Sequence, residues 1–364
     1  MADIHGTCTE RFAPVGRALA ASLDGKDVGA SVAVYVDGEP VVDLWGGYVD
    51  AERTAPWERD TITNVWSTTK TMAALCALIL ADRGELDLAA PVAEYWPEFA
   101  VAGKEGVRVS HVLSHTAGLH VWDAPMTLED LYDWPTATAR LAAQAPAWEP
   151  GTDAGYHAVT QGYLIGELVR RVTGRSLGTF FAEEVAGPLG ADFHIGLAAE
   201  HDHRVAPIIP PPSSPPRGDR KPNPAISGEV ANTVAWRRAE IPAANGHGNA
   251  RSVAAVQSLL ACGGAARGVR LLSEKGCERV LEEQFQGTDR VLGVPMRYGL
   301  GYGLNAGQLP NPRTCFWGGW GGSLILVDLD ARMSVAYTMN RMIDEGGVGD
   351  DRAFLILAAV YESV

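Results

Sequence analysis

Apolar, β-branched runs lie at both ends of this chain, and helical periodicity fills the stretch between them. Residues 30–36 and 40–46 read as two strands around the turn Asp37-Gly38-Glu39, and further strands are expected at 299–304, 314–317, 324–328 and 333–339. Strands this far apart in sequence bury their apolar faces most readily in one antiparallel sheet. From about residue 75 to 261 the apolar spacing is that of helices. The expected fold is therefore α/β (α+β): an antiparallel sheet flanked by helices, built from residues 1–75 and 262–364, with an inserted helical domain at 76–261. At 364 residues the chain can bury a large core. A proline-rich stretch at 207–224 cannot be regular structure and reads as a surface loop.

Ser67-Thr68-Thr69-Lys70 stands where the first strands give way to the first long helix. A serine three residues before a lysine at a helix start puts hydroxyl and amine on one face, within proton-transfer reach. The chain has five lysines and fifteen serines, so about 0.2 such pairs are expected by chance, and Ser67/Lys70 is the only one. Residues 71–81 read as a buried helix ending at Arg83-Gly84, which leaves Ser67 at the helix N-terminus. There the amides and dipole favour a developing alkoxide or oxyanion. A Ser/Thr cap followed by a solvated lysine is the plainer alternative for the tetrapeptide alone.

Two later segments add to it. Trp148-Glu149-Pro150-Gly151-Thr152-Asp153-Ala154-Gly155-Tyr156-His157 reads as a turn that delivers Tyr156 just before a helix, with His157 able to touch substrate, orient the tyrosine or cap that helix. Trp317-Gly318-Gly319-Trp320-Gly321-Gly322-Ser323 joins two strands with glycines where the backbone approaches something closely. With Leu113-Ser114-His115-Thr116-Ala117-Gly118-Leu119 and Val172-Thr173-Gly174, these motifs resemble the serine β-lactamase and penicillin-binding-protein superfamily, class C-like branch, and within it the family VIII carboxylesterases. The resemblance runs from about residue 30 to 340. It implies that Ser67, Lys70 and Tyr156 are catalytic, that Trp317-Gly318-Gly319 occupies the third motif's strand, and that the backbone N–H groups of Ser67 and Trp320 form the oxyanion hole.

The departures from the lactamase pattern bear on substrate. Lactamases of this branch carry an asparagine two residues after the tyrosine, where this chain has Ala158, and a Lys-Thr pair where it has Trp317-Gly318. The missing amide and ammonium remove partners for a β-lactam's amide and carboxylate, and a tryptophan favours an uncharged, apolar substrate. Trp122, Trp134, Trp148 and Trp320 are candidates to line an aromatic cleft, with Asn245-Gly246-His247-Gly248-Asn249 as a further wall.

Rival sites are weaker. Gly174-Arg175-Ser176-Leu177-Gly178 fits G-x-S-x-G, but a helix precedes it where that motif needs a strand, so Gly174 reads as a helix C-cap and Ser176 as the next N-cap. His111 and His115 are spaced for one helix face yet lack the acid of a zinc-protease motif, and His201-Asp202-His203 has no evident companions, so no metal or other cofactor is expected. A net charge of −14 disfavours nucleic acid and anionic membranes as partners. Five scattered cysteines, no visible signal peptide and no membrane-length apolar run point to the cytoplasm.

The sequence thus predicts a cytoplasmic serine carboxylesterase that forms an acyl-Ser67 intermediate on a small, uncharged ester or thioester. Either Lys70 or a Lys70-stabilised Tyr156 phenolate takes the Ser67 proton. An acyltransferase or thioester-offloading enzyme is the nearest alternative, since acyl-Ser67 can pass to an alcohol or amine. A β-lactamase and a non-catalytic binding protein are the others.

Overall fold

The computed structural model describes residues 3–211, 222–343 and 349–364. Among the described residues, nine antiparallel strands form the main sheet, in the order Ile4–Cys8, Glu39–Gly47, Gly29–Val36, Met333–Met339, Leu324–Asp328, Thr314–Gly318, Gly303–Leu304, Pro295–Tyr298, Phe285–Thr288. The two ends of the chain meet where Gly29–Val36 pairs with Met333–Met339, with Ala33↔Ala336 at the centre of the register. Every residue of Leu324–Asp328 and Met333–Met339 is buried, so both faces of the sheet are covered. The helix Ala250–Ala261 lies on one face, where Ser334 Oγ donates to Ala254 O (2.8 Å) and Ala250 N to Ser31 Oγ (3.1 Å). The helices Ala13–Gly25 and Asp351–Tyr361 pack together on the other.

The expected hairpin forms with Asp37 and Gly38 both left-handed (φ 53° and 82°), the backbone that a two-residue hairpin turn requires. The single strand expected at 299–304 is instead two short ones. Pro295–Tyr298 and Gly303–Leu304 pair through Tyr298↔Gly303, and Gly299 N donates to Tyr302 O (2.9 Å) across the turn between them. The edge strands Ile4–Cys8 and Phe285–Thr288 were not anticipated; both are largely exposed and lack an apolar alternation. A small sheet of Thr63–Asn64, His247–Gly248 and Phe193–His194 is made of two-residue strands, too short for any periodicity to show. Within the proline-rich stretch, residues 212–221 lie outside the described residues.

Thr69–Asp82 is the central helix. It is buried from Thr69 to Leu80 on every side, as an all-round apolar sequence demands, and packs on the helix Thr160–Thr173. Lys70 is the one charged side chain inside that buried stretch.

The segment around Ser176 is structural. Gly174 caps Thr160–Thr173 in the left-handed region (φ 73°), and the Ser176 side chain accepts from Thr179 N at the start of Leu177–Phe181 while its hydroxyl donates to Glu240 Oε1 (2.6 Å). Ser176→Ala is expected to lower stability by about 1 kcal/mol, the usual cost of a lost N-cap, as a drop in the urea midpoint at unchanged m-value.

Candidate active site

The chain reaches Ser67 through a strained turn. Trp66 has φ +49°, a region that a bulky side chain enters at a cost of about 1–3 kcal/mol. Trp236 and Trp320, with ring centroids 5.5 and 5.0 Å from its indole, hold it there, and Val65 N donates to Gly246 O (2.9 Å). Ser67 then lies in the 3₁₀ turn Trp66–Thr68 at the head of the central helix.

Two side chains converge on it. Lys70 Nζ is 3.1 Å from Ser67 Oγ, and the Tyr156 hydroxyl donates to the same oxygen at 2.6 Å. Lys70 Nζ also donates to the backbone carbonyls of Ala158 (2.6 Å) and Ala243 (2.9 Å). The amine is 1% exposed, and burial pushes its pKa well below the ordinary lysine value. Burial also pushes the Tyr156 phenol up to about 12, against the opposing effects of Ser67 and the neighbouring Trp317 indole.

The third motif closes the arrangement. Ser323 Oγ donates to Val65 O (2.8 Å) and lies 2.9 Å from Thr68 Oγ1, which pins the turn after Thr314–Gly318 against the serine turn. A Cβ at Gly319 would collide with Val65 O and Ser323 Oγ, so the close approach requires glycine there. Gly318 ends the strand, paired with Leu324. The backbone N–H groups of Ser67 and Trp320 have no acceptor among the described residues. Trp317 is 2% exposed and stacks on His115 (5.4 Å, 28°) beside Tyr156, so it fills the interior rather than presenting a broad cleft face; Trp320, at 37%, is the exposed tryptophan.

Two expected contact residues sit elsewhere. His157 is fully buried: its Nδ1 faces Gly155 O (2.6 Å), which can only accept, and its Nε2 accepts from Leu119 N (3.0 Å). That fixes a neutral ring, and burial lowers its pKa to about 3. His157 therefore shapes the loop carrying Tyr156 and has no ring nitrogen left for a substrate. Trp122 is a core residue whose Nε1 donates to Ala137 O (2.9 Å) and whose ring meets Tyr163 edge-on. Trp134 (Nε1 to Glu167 Oε2, 2.9 Å) and Trp148 (stacked on His120) are likewise packed, and residues 245–249 are buried behind Ser67.

Other supports were missed. Asp289, itself fully buried, accepts Tyr156 N (3.1 Å), Val291 N and Leu292 N (both 2.7 Å) and the Tyr298 hydroxyl (2.8 Å). His115 receives His157 N at Nδ1 (3.2 Å) amid the rings of Tyr156, Tyr298 and Trp317. The helix Val109–Leu113 stops short of it, so His111 and His115 share no helix face. Among the described residues no group of three His, Cys, Asp or Glu side chains could hold a metal, and no helix is long and apolar enough to cross a membrane.

Comparison with known proteins shows the family. The Beta-lactamase family model matches residues 16–360, and the chain belongs to that family. It is 36% identical to the esterase/β-lactamase LipL of Mycobacterium tuberculosis over 387 residues, covering 97% of this chain and 86% of LipL. A crystal structure of a family VIII carboxylesterase superposes with a TM-score of 0.94 at 45% identity over 100% of both chains. A penicillin-binding-protein homologue from Caulobacter crescentus gives 0.92 at 38%, again over 100% of both.

His157→Ala strips partners from the Leu119 N–H and the Gly155 carbonyl, each worth about 1–3 kcal/mol when left buried and unpaired. The melting temperature is expected to fall, with KM changing less than about twofold; a large rise in KM at unchanged stability would put the ring in contact with substrate.

Proposed function

We propose that this chain is a serine carboxylesterase that cleaves small, uncharged esters through an acyl-Ser67 intermediate, with Lys70 as the base. The observation that carries the reading is the buried Lys70 amine, held by two carbonyls and Ser67 Oγ with no carboxylate against it among the described residues. Carbonyls only accept, so two directions around Nζ are N–H bonds to Ala158 and Ala243. The third faces Ser67. Burial favours the neutral amine, which turns a lone pair toward the serine hydroxyl proton.

In acylation the Ser67 proton passes to Lys70 as the Oγ–carbonyl bond forms, and the oxyanion is met by the Ser67 and Trp320 N–H groups. Tyr156, held protonated by burial, gives its proton to the departing alkoxide and then takes up the proton of the Lys70 ammonium, the other neighbour of Ser67 Oγ, which returns Lys70 to the neutral amine. Water then attacks the acyl carbon with Lys70 again as base, releasing the acid and restoring the Ser67 hydroxyl. Trp317, in place of an ammonium, and Ala158, in place of an amide, leave an anionic ligand without two anchors, which supports an uncharged ester as substrate. The likeness to the esterase/β-lactamase LipL and to a family VIII carboxylesterase supports the same chemistry. All five cysteines are free, four of them buried, which supports a cytoplasmic home.

Ser67→Ala should abolish hydrolysis of a short-chain chromogenic ester while Ser176→Ala keeps most of it; the reverse pattern in folded proteins overturns the assignment. Lys70→Ala and Tyr156→Phe should each cost at least about a hundredfold in kcat, and the double variant little more than the worse single one. Fully additive losses would mean independent roles.

Substrate choice and pH give separate checks. The kcat/KM for the ester should exceed that for a chromogenic cephalosporin by about a hundredfold or more, since each missing polar anchor is worth about 1.5–3 kcal/mol. Equal efficiency on the cephalosporin makes the chain a lactamase. Because the base works deprotonated, kcat/KM should rise once with pH, at a midpoint well below the ~10.4 of an exposed lysine. A rate that climbs only at the exposed-lysine value contradicts a neutral Lys70.

A further inference from the structure

We propose that Arg352 is a positioning residue for the oxyanion turn, clamping the Gly321 carbonyl and so fixing the direction of the Trp320 N–H. The inference rests on the acyl-Ser67 reading above. Gly322 N donates to Gly319 O (3.1 Å), which closes a four-residue turn with Trp320 and Gly321 at its centre. A trans peptide is planar, with its C=O and N–H pointing opposite ways. Since Gly319 O is turned into that hydrogen bond, the Trp320 N–H of the same peptide points out of the turn.

The back of the turn rests on a buried charge network. Arg352 Nη2 donates to Gly321 O (2.5 Å), which also accepts from Ile343 N (3.1 Å). Gly321 and Gly322 are left-handed (φ +90° and +128°); a Cβ on the first would strike Met342, and one on the second would strike Arg352 Nη2 and Asp350 Oδ2. The turn thus has no room to shift toward the guanidinium.

Arg352 is itself held on every side. It is 1% exposed, and all five of its N–H donors are used. Nη1 reaches Asp27 Oδ1 (2.7 Å) and Arg341 O (2.8 Å), Nη2 reaches Gly321 O and Asp350 Oδ2 (2.5 Å), and Nε reaches Asp350 (3.1 Å). Asp27 Oδ2 accepts from Ser22 Oγ and the Tyr337 hydroxyl (both 2.6 Å). A buried ion triad is a poor source of stability compared with apolar packing. What a planar guanidinium supplies is a fixed geometry, here linking residues 27, 341 and 350 to the carbonyl next to the oxyanion donor.

The test compares Arg352→Lys with Asp27→Asn. Lysine keeps the charge but has three donors and no planar fork, so it loses the Gly321 clamp; Asp27→Asn disturbs the same network and leaves the clamp in place. For each, kcat and KM on a short uncharged ester, the melting temperature, and the Ki of an aryl trifluoromethyl ketone are measured; the ketone adds to Ser67 as an oxyanion. Arg352→Lys is expected to lower kcat about tenfold or more, with KM within about twofold and Ki weakened in proportion. Asp27→Asn is expected to lower the melting temperature with kcat within about threefold. Unchanged kcat and Ki in folded Arg352→Lys, or kcat losses that follow stability equally in both variants, overturn the proposal. If Arg352→Lys does not fold, Asp350→Asn replaces it, since Asp350 shares Nη2 with Gly321 O; it must lower kcat and ketone affinity where Asp27→Asn does not, and equal values overturn the proposal. Ser67→Ala is run alongside: activity there removes the acyl-Ser67 reading itself, whereas a dead Ser67→Ala with an unaffected Arg352→Lys removes only the clamp.

Discussion

The Lys70 amine lies inside a helix buried from Thr69 to Leu80 and faces three oxygens, none of them a carboxylate. An ammonium in that place would give up its hydration for three neutral acceptors. Each pKa unit by which the site disfavours the charged form corresponds to about 1.4 kcal/mol of differential interaction. Losing the proton relieves that cost and produces the neutral amine that the proposed mechanism uses as base. The same burial keeps Tyr156 protonated, so the two groups flanking Ser67 Oγ are suited to opposite roles in the proposed mechanism, one accepting a proton and the other donating it.

Such an arrangement needs its oxygens and donors held still, and separate parts of the chain do this. Trp66, strained and wedged between Trp236 and Trp320, sets the serine turn. The Tyr156 loop is tied by backbone bonds to His115, Asp289 and the His157 ring, while the Ala243 carbonyl arrives from the chain before His247–Gly248. The turn at Trp320 is fixed from behind by Arg352. Several buried polar groups therefore hold the geometry at Ser67.

The sheet strands with strong apolar runs, the central helix and the Ser176 cap were legible because each carries its own periodicity or capping residue. The short strands at 63–64, 193–194 and 247–248 were not, being shorter than one period of alternation, and neither were the exposed edge strands. Ser67, Lys70 and Tyr156 stood out because their local spacing or flanks are unusual, and the Lys70 amine and Tyr156 hydroxyl both lie within 3.1 Å of Ser67 Oγ. His157 and Trp122 misled for a physical reason: a histidine beside a tyrosine and a tryptophan in a helical region carry no local mark of which way they face, and both turn inward. The carbonyls of Ala158 and Ala243, Asp289 and Arg352 could not be read at all, because backbone acceptors have no sequence signature and the two side chains act on segments over thirty to over a hundred residues away.

The most direct measurement is a pH titration of the lysine ε-resonances in protein labelled with [ε-¹³C]lysine. Five lysines give few signals, and Lys70 is identified by the peak lost in Lys70→Met. A neutral, buried amine requires the Lys70 resonance to titrate well below the ~10.4 of the exposed lysines, leaving it deprotonated where the enzyme works. A Lys70 resonance that titrates with the exposed lysines would contradict the account and shift the role of base to Tyr156.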